Sequence, residues 1–180
     1  FHLRTVKSNA EKNNTTIGAV CDLWKKRREE SAAEAGNNPK VYADYRKLLE
    51  QKDIDAVICS TVDHWHAKVS LDTMNAGQHI YVEKPMTRYL DEAFEVHDTV
   101  KRTKKVFQVG AQGCSDAKWH KAAELIKDGY LGQLVLAQGS YMRNNPKGEW
   151  NYTIDPDLKA DGITWESWMG PNIKTRVDFN

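Results

Sequence analysis

Short apolar runs alternate with helical stretches through the first 130 residues of this chain, and no other feature constrains its fold as strongly. Ala56 to Ser60 is a continuous apolar run between Asp55 and Thr61, the pattern of a strand buried on both faces. Thr16 to Cys21, Val41-Tyr42, His79 to Glu83 and Val106 to Gly110 read as further strands. Between them lie helical patterns: residues 1–12, residues 24–35 closed by Gly36, a stretch capped by Asp44 that runs to Lys52, and His64 to Asn75 capped by Asp63 and closed by Gly77. Leu90, Ala93, Phe94, His97 and Val100 recur at helical spacing behind Thr87, a candidate N-cap, and Lys101 to Lys105 form a basic end that suits the helix dipole. Strands alternating with helices in this way predict a parallel, doubly wound α/β sheet.

After Gly132 the pattern changes. A helix capped by Ser115 or Asp116 is expected to bury Trp119, Ala122, Ala123 and Ile126, and Leu134 to Met142 reads as a longer alternating strand. Two domains are therefore expected: residues 1–112, and residues 113–180 as the start of a second α/β domain. The chain opens without methionine inside a helical pattern and closes on Val177 to Asn180 without a terminating element. It reads as an internal segment of a longer protein. A cytoplasmic location is favoured for that protein, with a secreted or periplasmic one left open by the unseen N-terminus.

Charged residues are 28% of the chain but cancel to a net +1, which offers no field for nucleic acid. No apolar run approaches the ~20 residues that span a bilayer. The three cysteines, Cys21, Cys59 and Cys114, are widely spaced. The first two lie in apolar strands, as buried reduced thiols rather than a disulfide framework do.

The chemistry concentrates where strands give way to helices. In His79 to Thr87 a strand runs into Glu83-Lys84-Pro85, and Pro85 stops the ladder because it has no N–H to donate. Lys84 thereby stands at the carboxyl edge of the sheet, where open α/β folds bind ligands. A lysine there can polarise and orient a hydroxyl during hydride transfer; the bland alternative is a solvated loop lysine. Asp22 ends a strand where a dinucleotide fold places the acidic residue that bonds the ribose hydroxyls, or it caps the helix behind it. Thr61 to His66 opens a helix whose backbone N–H groups can face a cofactor, with the histidines at the rim. His64 and His66 form a His-x-His pair, but two histidines without a third clustered ligand do not make a zinc site, and no metal is expected. Tyr152 and Trp165 can present aromatic faces to a sugar, although Trp165 and Trp168 equally can pack on each other.

On these residues the chain resembles the Gfo/Idh/MocA oxidoreductases. The likeness is carried by Asp55-Ala-Val-Ile-Cys-Ser-Thr-Val-Asp-His-Trp-His-Ala67 and Ala76-Gly-Gln-His-Ile-Tyr-Val-Glu-Lys-Pro-Met-Thr87. Val109-Gly110-Ala111-Gln112, Gly129 to Gly132 and Trp165 to Pro171 support it. The resemblance implies an incomplete Rossmann domain followed by the start of a domain with a mostly antiparallel sheet. It also implies a bound nicotinamide cofactor, sugar or polyol substrates, and a homo-oligomer. Lys84 maps onto the lysine near the nicotinamide, and the peptide before Pro85 is expected to be cis. Asp22, Thr61, His66, Glu83, Pro85 and Gln112 fall among the cofactor-binding positions, and His64, Tyr152 and Trp165 toward substrate. Asp22 favours NAD, while Lys25, Lys26, Arg27 and Arg28 leave NADP open. Gly113-Cys114-Ser115 stand where many members carry an arginine, and the family's later aspartate and histidine would fall beyond Asn180. Three activities follow: a sugar or cyclitol dehydrogenase, which is favoured; a glycoside hydrolase of the same fold that uses retained NAD; and a non-catalytic sugar- or cofactor-binding relative.

In a doubly wound dinucleotide domain, whose strand order is 3-2-1-4-5-6, the first strand lies centrally. If it precedes Phe1, the strands at Thr16–Cys21 and Ala56–Ser60 should stand apart, each with an unpaired edge.

Overall fold

The computed structural model describes residues 1–149 and 151–171; Trp150 and the closing stretch with Val177 to Asn180 lie outside the described residues. The chain divides into two units. The first comprises residues 1–110 together with the described residues from Leu158 on, and the second is Ala111–Asp157.

In the first unit the elements run α1 (His2–Ser8), α2 (Ala10–Asn13), β1 (Ala19–Cys21), α3 (Lys25–Ala35), β2 (Lys40–Tyr42), α4 (Tyr45–Leu49), β3 (Ala56–Cys59), α5 (Asp63–Asn75), β4 (His79–Glu83), α6 (Leu90–Thr103) and β5 (Phe107–Gly110). All strand pairs are parallel. β1 pairs with β2, Val20 opposite Val41. β4 is central between β3 and β5, with Val82 opposite both Cys59 and Val109. The two sheets are separate, and β1 and β3 are not hydrogen-bonded to each other, as the topology argument required.

Period-two alternation decides the faces of β4. Ile80 and Val82 point into the core with Cys59, Ala67, Val69, Leu71, Met74 and Val96, each large side chain contributing ~1.5–3 kcal/mol by burial. Tyr81 and Glu83 point to the opposite face, where His2 of α1 meets both. The helix ends follow local chemistry. Asp44 caps α4 by accepting from the Arg46 N–H at 3.0 Å, and Gly36 closes α3 at φ 77°, a left-handed position that suits glycine.

Several expectations are corrected. The helix expected over residues 1–12 breaks at Asn9, which is off helical geometry at φ −112°, ψ 10°. β3 is not buried on both faces: Ile58 is 44% exposed because α5 covers one side of this edge strand. Asp63 is the first residue of α5 rather than its cap, Val62 holding the N-cap position without a side-chain bond. Thr87 does not cap α6. The N-cap is Tyr89, and the Glu92 carboxylate accepts from the N–H groups of Arg88 and Tyr89, both at 3.0 Å. α6 turns Glu92, Val96 and Thr99 inward and leaves Leu90 and Phe94 exposed.

The second unit holds a 3-10 turn at Gln112–Ser115 and α7 (Ala117–Lys127). Asp116 is the cap, accepting from the Lys118 N–H at 3.0 Å. α7 buries none of its residues, Trp119 being 65% exposed, and Leu134 to Met142 forms no strand. A strand exists only where a neighbour completes its ladder, and none is present among the described residues of this unit. Residues from Leu158 on carry a second 3-10 turn, Ala160–Gly162, and α8 (Trp165–Met169). No described helix is long and apolar enough to cross a membrane.

Candidate active site

Parallel strands followed by helices put their turns at the carboxyl ends of the strands, and Asp22, Thr61 and Lys84 each stand at such an end. Asp22 directly follows β1. Its Oδ1 accepts from the Trp24 N–H at 2.8 Å, so the aspartate both shapes the turn into α3 and offers a half-buried carboxylate. The basic run behind it is largely committed. Arg28 donates to the carbonyls of Asp22 and Leu23 at 2.8 and 3.0 Å. Lys26 and Arg27 lie over the Trp24 ring, each 5.6 Å from its centroid, and Lys25 pairs with Glu29 at 3.8 Å.

Beyond β3, Thr61 leads into α5, whose first N–H groups lack a side-chain cap and are free to meet an anion. His64 is buried, its Nε2 2.7 Å from the Trp168 carbonyl, and the Trp65 indole N–H donates to that same oxygen at 2.9 Å. His66 is buried too, Nδ1 lying 2.6 Å from the Pro85 carbonyl and Nε2 3.1 Å from the Thr61 carbonyl. Both histidines are thus engaged with backbone, and no cluster of three metal-ligating side chains occurs among the described residues. The His-x-His spacing places one histidine on the strap around α8 and the other on the Lys84-Pro85 turn.

That turn ends β4. The Lys84–Pro85 peptide is cis. Glu83 accepts from His2 Nε2 at 2.5 Å through Oε1 and from the Lys84 backbone N–H at 3.1 Å through Oε2. Lys84 itself is exposed, and its ammonium bonds no side chain or carbonyl among the described residues. Gly110, opposite Glu83, leaves room for this cluster: a Cβ there would lie 2.7 Å from the Tyr81 hydroxyl.

Trp165 and Trp168 stack, with centroids 4.7 Å apart and planes at 7°. Gly162 approaches the Trp24 ring within 3.7 Å of an added Cβ, and Gly170 lies against Trp65. Residues 162–170 therefore reach from the end of β1 to the start of α5. The apolar and glycine pattern of this stretch signalled packing but not its destination. Gln112 and Tyr152 belong to the second unit, where Tyr152 is exposed. His2 was missed, because nothing near it in sequence points to Glu83, 81 residues away.

The residues present fit a dinucleotide: a carboxylate at the end of β1, a helix start without a side-chain cap at α5, and an ammonium at the end of β4 that is unbonded among the described residues. Comparison with known proteins agrees. Residues 2–111 match the sequence model of the oxidoreductase family with an NAD-binding Rossmann fold. The chain belongs to this family, the Gfo/Idh/MocA oxidoreductases.

Among curated relatives, it is 30% identical over 141 residues to an alpha-N-acetylgalactosaminidase of Shewanella oneidensis, covering 73% of this chain and 30% of that protein. It is 32% identical over 124 residues to a glycosyl hydrolase family 109 protein of Shewanella baltica, covering 69% of this chain and 26% of that one. The chain thus spans less than a third of these relatives. Among solved structures, myo-inositol 2-dehydrogenase from Lactobacillus plantarum superposes with a TM-score of 0.67 at 23% identity, over 74% of this chain and 39% of that one. Scyllo-inositol dehydrogenase from Lactobacillus casei, with bound NAD(H) and scyllo-inositol, gives 0.61 at 23%, over 72% and 39%. At this identity the structures establish the fold.

Proposed function

We propose that the protein transfers a hydride between a nicotinamide cofactor and a secondary alcohol of a sugar, inositol or related polyol. The observation that carries this reading is Lys84: an ammonium without a partner among the described residues, at the carboxyl edge of a parallel sheet, in a turn tied to α5 through His66 and to α1 through Glu83 and His2. The cofactor supplies the hydride acceptor when bound. Asp22 would hold the adenosine ribose hydroxyls, the α5 N-terminus would face the phosphates, and Lys84 would polarise and orient the alcohol oxygen as its proton leaves. The occupied Arg28 and the ring-bound Lys26 and Arg27 support NAD over NADP, since a 2′-phosphate would compete with existing contacts.

A second reading has its own support. The curated relatives at 30–32% identity are glycosidases by name. Transient oxidation of a sugar hydroxyl to a ketone by retained NAD would acidify the neighbouring C–H. Loss of that proton would expel the glycosidic leaving group before water adds and the hydride returns. Two assays on the intact protein separate the readings. Reduction of added NAD, followed at 340 nm with myo-inositol, scyllo-inositol and glucose, is expected for a dehydrogenase. Cleavage of p-nitrophenyl N-acetyl-α-galactosaminide without added NAD is expected for a glycosidase. In either assay Lys84→Ala should lower kcat by ~10² or more, and Lys84→Arg should not restore it, because a planar fork does not replace a point charge. Undiminished kcat in Lys84→Ala would remove the lysine from the chemistry.

A further inference from the structure

His2 lies near the start of the chain and 81 residues from the strand end it touches. Its ring meets Tyr81 edge-on at 5.2 Å, and its Nε2 lies 2.5 Å from Glu83 Oε1. The other Glu83 oxygen accepts the Lys84 N–H. One carboxylate thus has both oxygens engaged, one by α1 and one by the backbone of the proposed catalytic lysine. On the far side of the turn, His66 holds the Pro85 carbonyl. The two side chains are partly shielded, 22% and 27% exposed, and Gly110 leaves space for Glu83 and the Tyr81 ring. A charge-assisted hydrogen bond in such surroundings fixes geometry better than an exposed one.

We infer that His2 is a positioning residue: through Glu83 it sets the backbone of Lys84 and so aims the lysine from the α1 side, while His66 does so from the α5 side. The inference rests on the functional reading of Lys84, but its structural half does not depend on turnover. Without the His2 donor, Glu83 is free to rotate, and the Lys84 N–H loses its acceptor for part of the time.

Four variants of the intact protein test this. His2→Ala removes ring and donor, His2→Leu keeps apolar bulk against Tyr81 without a donor, and His2→Gln keeps a donor. Glu83→Ala removes the acceptor. Amide hydrogen exchange resolved by NMR should accelerate at Lys84 by about 10-fold in His2→Ala, His2→Leu and Glu83→Ala, as expected for loss of one charge-assisted bond. The Val82 amide, inside the β4 ladder, should not change, and His2→Gln should remain close to wild type. His2→Ala should add nothing on the Glu83→Ala background if it acts through that carboxylate.

With whichever substrate turns over, His2→Leu should lower kcat about 10-fold while KM stays within about 2-fold, the signature of lost orientation rather than lost binding. Unchanged Lys84 exchange in both His2→Leu and His2→Ala, or additive effects of His2→Ala and Glu83→Ala, overturns the inference. A silent His2→Leu beside a damaging His2→Ala assigns His2 to packing on Tyr81 and overturns it equally. Undiminished kcat in Lys84→Ala defeats the functional reading instead, and the exchange result distinguishes that failure from this one.

Discussion

At the scale of single residues, Asp22 and Cys21 show neighbours with opposite tasks. Asp22→Ala removes the carboxylate proposed to hold the ribose, and NADH affinity measured by fluorescence titration should fall by ~1.5–3 kcal/mol per charge-assisted bond lost. An unchanged affinity with an intact melt would reassign Asp22 to shaping the turn at Trp24. Cys21 is pushed up to about 12, first by burial and then by the Asp22 and Asp44 carboxylates. The raised value means that folding favours the neutral thiol. Its contribution is complete below the unfolded thiol value of about 8.5 and is lost as pH rises through about 12. The stability advantage of wild type over Cys21→Ala should therefore shrink between those limits, as read from urea midpoints at pH 8 and pH 10.5. Iodoacetamide at pH 8.5 should label exposed Cys114 well before Cys21 or buried Cys59, checked by peptide mass mapping.

At the scale of elements, the strap around α8 links two turns that sequence reading treated separately. Its contacts with α5 include the Trp168 carbonyl, shared by His64 and Trp65, the Trp168 ring edge-on to His64 at 5.3 Å, and Gly170 against the Trp65 ring. Gly170 has φ 67° and ψ 179°, a region that only glycine enters freely. A Cβ there would approach the Trp65 ring to 2.8 Å. Gly170→Ala should cost about 1–3 kcal/mol and raise the solvent exposure of Trp65, seen as a red shift in tryptophan emission. A melt and spectrum like wild type would show that the strap does not depend on this contact.

In the molecule as a whole, the separate β1-β2 and β3-β4-β5 sheets leave β1 and β3 each with one edge unpartnered among the described residues. Ile58 on β3 and Val41 on β2 are 44% and 47% exposed. Unpaired edges with apolar side chains recruit other strands. The 180-residue polypeptide, produced alone, should associate in a concentration-dependent way by light scattering. Ile58→Lys should reduce that association, because a charge on an edge strand opposes pairing. A stable monomer at high concentration would mean that these edges are covered in solution.

The strand–helix alternation, the parallel pairing and the turn carrying Lys84 were legible in the sequence. These depend on local periodicity, on proline chemistry and on the handed connection of parallel strands, all written in consecutive residues. The sequence also located Asp22 and His66 at strand-to-helix transitions. What the histidines do depends on the folded chain: the rings of His64 and His66 both meet backbone carbonyls, one of them more than 100 residues distant. The folded chain likewise decided the buried face of α6, where Glu92, Val96 and Thr99 rather than Leu90 and Phe94 turn inward, and the union of His2 with Glu83. Such contacts form between segments far apart in the chain, so no local pattern encodes them. Their geometry is set by how helices from different crossovers come to rest against one sheet edge.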